Sequence, residues 1–318
     1  MKLVAPTATT LALLLACSSD AAQQAPAEES GSAETVVNSN IAPPIQTGPA
    51  PEPIPTATPS TMALAVKARC PADMVLVGEE LCVDRFEASL VDARSESALS
   101  PYWPPDGPKA TYVAKIWGDL KGTGTTIEQS MALPTLPPWQ RERGMKPKAI
   151  SRKGMVPQAY ASGKDATLAC ENAGKRLCTR DEWKKACRGE TNRDFPYGEK
   201  YERGKCNVVR DTHPGVVLWE NPSINHTDPR FNLITDKQGP LLRKTGATAT
   251  CLSTWGDDAI YDMVGNVDEW IDDPEGTFVG AFYARGRKDG CQAGIDNHVF
   301  AYADYSTGIR CCKAAERR

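Results

Sequence analysis

The chain has 318 residues and a formal net charge of −3, with acids and bases interspersed along it. That balance gives no basic stripe, so a nucleic-acid partner is not expected. There is also no apolar run long enough for a membrane-spanning helix. Glycine and proline, 25 of each, point to a loop-rich fold and not a helix bundle.

The first residues read as an export signal. Met1-Lys2 supplies one positive charge, Leu11 to Ala16 is a short apolar core, and Cys17 follows Leu14-Leu15-Ala16 in the manner of a bacterial lipobox. Residues 1–16 are therefore expected to be a lipoprotein signal peptide and Cys17 the lipidation site. The protein is then exported and lipid-anchored to the bacterial envelope. Ser18 in place of aspartate favours the outer membrane. Residues 17–66 are rich in Pro, Ala, Ser, Thr and Glu and contain no aromatic residue. Such a segment buries too little apolar surface to offset chain entropy, so it is expected to be a disordered tether. A single folded domain is expected over 67–318.

Within the domain, Met74-Val75-Leu76-Val77 and Leu81 to Phe86 read as two strands around Gly78-Glu79-Glu80, with Cys70 and Cys82 flanking the hairpin and able to pair. Residues 98 to 150 read as a long, irregular surface loop. Its Trp103 and Trp139 either pin it to the core or stand free to stack on a sugar. A helix over Lys164 to Ala173 stops at Gly174, and Thr179-Arg180-Asp181-Glu182 is a capping box opening a second helix that runs to about Cys187. Trp183 and Cys187, four apart, share its buried face. From 190 to 260 the signal is mostly loop, and the tail returns to short strands.

Apart from Cys17, ten cysteines remain, an even number that in an exported chain reads as a disulfide framework. A zinc site is a weak rival, because no Cys-x-x-Cys occurs and histidine is limited to His213, His226 and His298.

Four segments carry a family resemblance. Gly174-Lys175-Arg176-Leu177-Cys178-Thr179-Arg180-Asp181-Glu182-Trp183, Phe195-Pro196-Tyr197-Gly198, Tyr261 to Trp270 (YDMVGNVDEW) and Gly308-Ile309-Arg310-Cys311 stand in the order of the signatures of formylglycine-generating enzymes, the sulfatase-modifying factors. Cys82 to Glu87 resembles the early strand of the same domain. The resemblance covers about 67 to 318. It implies an α+β fold: a loop-rich, disulfide-stapled variant of the C-type-lectin-like fold. It also implies the bridges Cys170–Cys311 and Cys187–Cys291. The pairing of Cys178, Cys206, Cys251 and Cys312 stays open, with Cys206–Cys251 and Cys178–Cys312 favoured.

By the same resemblance, a structural calcium ion is expected on the side chains of Asp262 and Glu269 and the carbonyls of Gly265 and Val267, since calcium takes six to eight oxygen ligands. A second site would begin at Asn207 and the carbonyl of Val208, its acidic ligand not being placeable in 209–250. The family's oxidation chemistry resembles that of a copper-bound thiolate pair, five and ten positions before the cysteine matched here to Cys291. No cysteine lies between Cys251 and Cys291, so neither copper nor a catalytic residue is expected. Ser253 and Ser306 belong to no motif tying them to a base, Asp272-Asp273 reads as a solvated turn, and His298 lies near the expected cleft. The leading functional expectation is a non-catalytic binding or scaffold module on a lipid tether, holding a glycan, a peptide or an envelope protein. The rivals are a metal-dependent oxidase or oxygenase of the family and a structural envelope protein.

Overall fold

The computed structural model describes residues 68–317. The signal segment 1–16, Cys17 and the tether 17–66 lie outside the described residues.

Several small sheets, not one large one, carry the domain. In the first, the apolar runs Met74–Val77 and Leu81–Asp84 pair as a hairpin around the Gly78 turn. The C-terminal strand Cys311–Ala314 then inserts between Leu81–Asp84 and Arg176–Leu177, antiparallel to both. The beginning and the end of the described domain therefore share one sheet. Cys70–Cys82 ties the hairpin to the chain entering it. A second sheet runs Gly294–Ile295, Phe278–Val279, Asp268–Trp270, Thr307–Gly308, with its last pair parallel.

Residues 98–150 are not the structureless loop that their prolines suggest. They sit between the paired strands Ala88–Asp92 and Pro147–Ser151 and contain α1 (Gly107–Leu120) and α2 (Thr126–Ser130). Asp106 caps α1 by accepting a hydrogen bond from the Lys109 amide at 2.8 Å, and Pro108 falls in the first turn, where its missing N–H costs nothing. Trp103 and Trp117 are buried, and Trp139 is half-buried against the core. The pinning role is thus the one the tryptophans play. α2 is anchored by Glu128, whose carboxylate accepts from the amides of Gly122 and Gly124 and pairs with Arg230, itself paired with Asp228.

α3 (Gly163–Asn172) opens with a Ser162–Asp165 capping box, and α4 (Arg180–Arg188) opens with the Thr179–Glu182 box. Gly174, at φ +68°, makes the left-handed stop that the sequence places there. Trp183 and Cys187 are both buried on the inner face of α4. The stretch 190–260 holds more order than expected. It contains α5 (Pro214–Trp219), capped by the His213 imidazole, and the hairpin Leu252–Trp255 with Asp258–Tyr261.

The ten cysteines of the domain form five disulfides: Cys70–Cys82, Cys170–Cys311, Cys178–Cys312, Cys187–Cys291 and Cys206–Cys251. Neighbouring Cys311 and Cys312 point to opposite sides of their strand and so clamp α3 and the segment leading into α4 separately. On the chain-entropy account, bridges closing loops of this length are each worth about 3–5 kcal/mol.

Candidate functional site

Three of the four signature segments meet inside the domain, and the residues they bring together, Trp183, Asn266, Glu269 and Arg310, are buried. Glu269 accepts a hydrogen bond from Trp183 Nε1 at 2.6 Å and takes the Arg310 guanidinium on both oxygens, with Nε at 2.8 and 2.9 Å. Arg310 also donates to the carbonyls of Asp84 and Tyr261, each at 2.8 Å. Its three nitrogens thereby fasten the early strand and the Tyr261–Trp270 segment to the chain entering the Cys311–Ala314 strand. Asn266 is a second hub. Its Nδ2 donates to Glu87 Oε2 at 2.7 Å and to the Arg243 carbonyl. Its Oδ1 accepts from Asn207 Nδ2 and the Arg243 amide, both at 2.9 Å. Immediately before Asn266, Gly265 has φ +89°, and a Cβ there would lie 2.3 Å from the Asn207 carbonyl oxygen, so only glycine fits. The signatures are thus the internal frame of the fold.

The two acidic side chains expected as calcium ligands on this segment already have partners. Both oxygens of Glu269 hold Arg310, and Asp262 Oδ2 accepts from the Gly246 amide at 2.6 Å. A calcium ion on Asp262, Gly265, Val267 and Glu269, which takes six to eight oxygen ligands with waters included, would have to compete with Arg310 for Glu269. Three buried carboxylates, Glu87, Asp262 and Glu269, gather around one guanidinium. Burial, then the neighbouring Asp262 and Glu269 charges, push Glu87 well above the usual carboxylate range. Burial likewise brings Asp262 up to about 6. The second expected set departs differently: Asn207 Oδ1 accepts from Arg210 Nη1 at 2.9 Å, and Val208 is buried in the core.

The positions five and ten before Cys291 are Gly286 and Ala281, and Cys291 itself is bonded to Cys187. Ala281 is buried. Beside it Arg285 pairs with Asp268 and lies over the Phe282 ring at 5.0 Å. Burial, against the pull of Arg285, raises the Asp268 carboxyl to about 7. The other candidates are structural. Ser253 Oγ donates to the Ala186 carbonyl at 2.7 Å and Ser306 Oγ to Asp304 Oδ1 at 2.7 Å. His298 stacks on Tyr302 with centroids 4.0 Å apart. Asp272 is exposed, while Asp273 braces the following turn through the Glu275 amide and the Thr277 hydroxyl.

Sequence reasoning did not single out the outer face of α4. There a groove of about 660 Å³ opens between that helix and the Gly78 turn, lined by Lys184, Lys185, Arg188, Glu190 and Trp255. Arg188 pairs with Asp194, whereas Lys184 and Lys185 have no ion-pair partner among the described residues. The available signal was the cluster of cations on the exposed side of a helix whose opposite side is marked by Trp183 and Cys187.

Comparison with known proteins agrees with the frame. Residues 135–295 match the family described as sulfatase-modifying factor enzyme 1-like domain. The chain belongs to that family, and its described domain is α+β and stapled by five disulfides. It is 26% identical over 157 residues to the inactive C-alpha-formylglycine-generating enzyme 2 of Bos taurus, covering 48% of this chain and 45% of that protein. To the formylglycine-generating enzyme of Mus musculus it is 27% identical over 136 residues, covering 42% and 32% respectively. The chain therefore spans less than half the length of these curated relatives. Among solved structures, the Major Tropism Determinant I1 variant matches with a TM-score of 0.41 at 12% identity, over 80% of this chain and 56% of that one.

Proposed function

We propose that this protein is a non-catalytic binding member of its family, exported and held at the outer membrane by lipid on Cys17. One observation carries the non-catalytic part: every cysteine of the described domain is in a disulfide, and Ala281 and Gly286 stand where the family's thiolate pair would lie. A thiolate is the soft ligand that selects Cu(I), and a bridged sulfur is not a thiolate. The name of the bovine relative, an inactive formylglycine-generating enzyme, fits the same reading. Binding falls to the groove on α4, where two lysines with no ion-pair partner among the described residues, beside Trp255, suit a ligand bearing carboxylate or sulfate groups, such as an acidic glycan.

The test has two arms. Thiol titration of the unreduced, folded domain is expected to find no free sulfur, and a Cys-x-Pro-x-Arg sulfatase peptide supplied with copper and oxygen is expected to keep its cysteine. Two titratable sulfurs, or conversion of the peptide to formylglycine, overturn the reading and restore the oxidase. Binding of an acidic glycan array that Lys184→Glu and Lys185→Glu together abolish supports the groove. Unchanged binding removes the groove as the recognition site.

A further inference from the structure

The oxygen atoms around Arg210 carry an inference about the second expected calcium site. The Arg210 side chain is 3% exposed. Nη1 donates to Asn207 Oδ1 at 2.9 Å and to the Pro240 carbonyl at 3.2 Å. Nη2 donates to the Gly239 carbonyl at 3.0 Å and pairs with Asp236 Oδ1, while Nε reaches Asp236 Oδ2 at 3.3 Å. One side-chain amide, one carboxylate and two backbone carbonyls thus converge on a single buried positive charge.

This is the hard-oxygen donor set that calcium selects. It begins at Asn207, as the resemblance requires, and Asp236 supplies the acid that the sequence left unplaced. The set is also pre-aimed. Asn207 Nδ2 is fixed by the Leu241 carbonyl at 2.8 Å and Asn266 Oδ1 at 2.9 Å, which turns Oδ1 toward the guanidinium. The short hairpin Thr235–Asp236 with Gly239–Pro240 presents the carboxylate and the two carbonyls from one side. A guanidinium suits the place because it stays charged at all physiological pH values and offers five donors in a fixed plane. Burial works to raise the Asp236 carboxyl, yet the hydrogen bonds from Arg210 and the Gln238 amide hold it below its ordinary value.

We infer that Arg210 is a built-in cation standing in the place of the second calcium ion, so that this corner of the domain is held together without metal. Val208, whose carbonyl was expected as a ligand, is not among the contacts of Arg210, consistent with a planar fork replacing a spherical ion.

The experiment compares calcium uptake by calorimetry, and melting in calcium against chelator, for the full chain and three variants: Arg210→Met, Asp236→Asn and the double variant. Calcium stoichiometry of Asp236→Asn is expected to equal that of the unaltered chain. Arg210→Met is expected to melt lower in chelator, to take up one additional calcium and to recover its melting temperature with it. The double variant is expected to lose that uptake. Folded Arg210→Met that gains no calcium overturns the inference, as does loss of one calcium from the unaltered stoichiometry in Asp236→Asn. Should Arg210→Met not fold, the comparison of the unaltered chain with Asp236→Asn decides alone.

Discussion

Glu269 and Arg310, 41 positions apart, form a fully buried ion pair in which the guanidinium covers both carboxylate oxygens and still reaches two backbone carbonyls. Neither charge has water to fall back on. Breaking such a pair from one side leaves an uncompensated charge in the interior, at about 3–5 kcal/mol. Arg310→Met is therefore expected to lower unfolding free energy by that amount in urea titration. A loss under about 1 kcal/mol would mean that the signatures do not frame the fold.

Asp84 gives the stability a pH dependence of defined sign. It is fully buried, with Lys175 Nζ 2.5 Å from Oδ1 and the Cys311 amide 3.1 Å from Oδ2. Burial outweighs Lys175 and raises its pKa from 3.8 to about 6. A carboxyl raised on folding contributes stability that is complete below its unfolded pKa and is lost as pH rises through the folded value. Between pH 4 and pH 7 the unaltered chain should thus lose stability relative to Asp84→Asn, by on the order of 1–3 kcal/mol. Denaturation midpoints of both proteins across that window check it, and a difference of the opposite sign refutes it.

The excursion between the strands Ala88–Asp92 and Pro147–Ser151 is expected to be part of the cooperative core. Trp117 of α1 is 2% exposed and packs on Trp219 with ring centroids 5.7 Å apart. Trp117→Ala should cost about 3–5 kcal/mol, and Asp106→Ala, which removes the cap, about 1 kcal/mol. Amide exchange over 107–120 in the unaltered chain should slow to the rate of the strands. Exchange as fast as that of a free loop would contradict this assignment.

Gly265→Ala tests the turn leading into the Asn266 hub. The added methyl meets the Asn207 carbonyl in a backbone conformation that L residues rarely adopt, so the variant should be destabilised by several kcal/mol or fail to fold. Gly118→Ala, on α1 with open space around its Cβ, is the control and should be neutral or slightly stabilising.

The sequence by itself determined what local chemistry determines. The capping box at Thr179, the stop at Gly174 and the hairpin around Gly78 each depend on residues a few positions apart, so their signals are contiguous. The order of the signature segments identified the family, and with it the bridges Cys170–Cys311 and Cys187–Cys291, which are those formed. α1 escaped notice because its cap and apolar face sit among prolines that read as loop, and its burial depends on Trp219 far along the chain. Only the tertiary structure decided what the charged residues do. Whether an oxygen set binds calcium or a guanidinium depends on which side chain arrives from elsewhere. Arg310 reaches Glu269 from the C-terminal strand, and Arg210 meets Asp236 across a short hairpin. Such an encounter leaves no periodicity or spacing to read, since the energy of a buried charge is set by its neighbours in space and not by its neighbours in sequence.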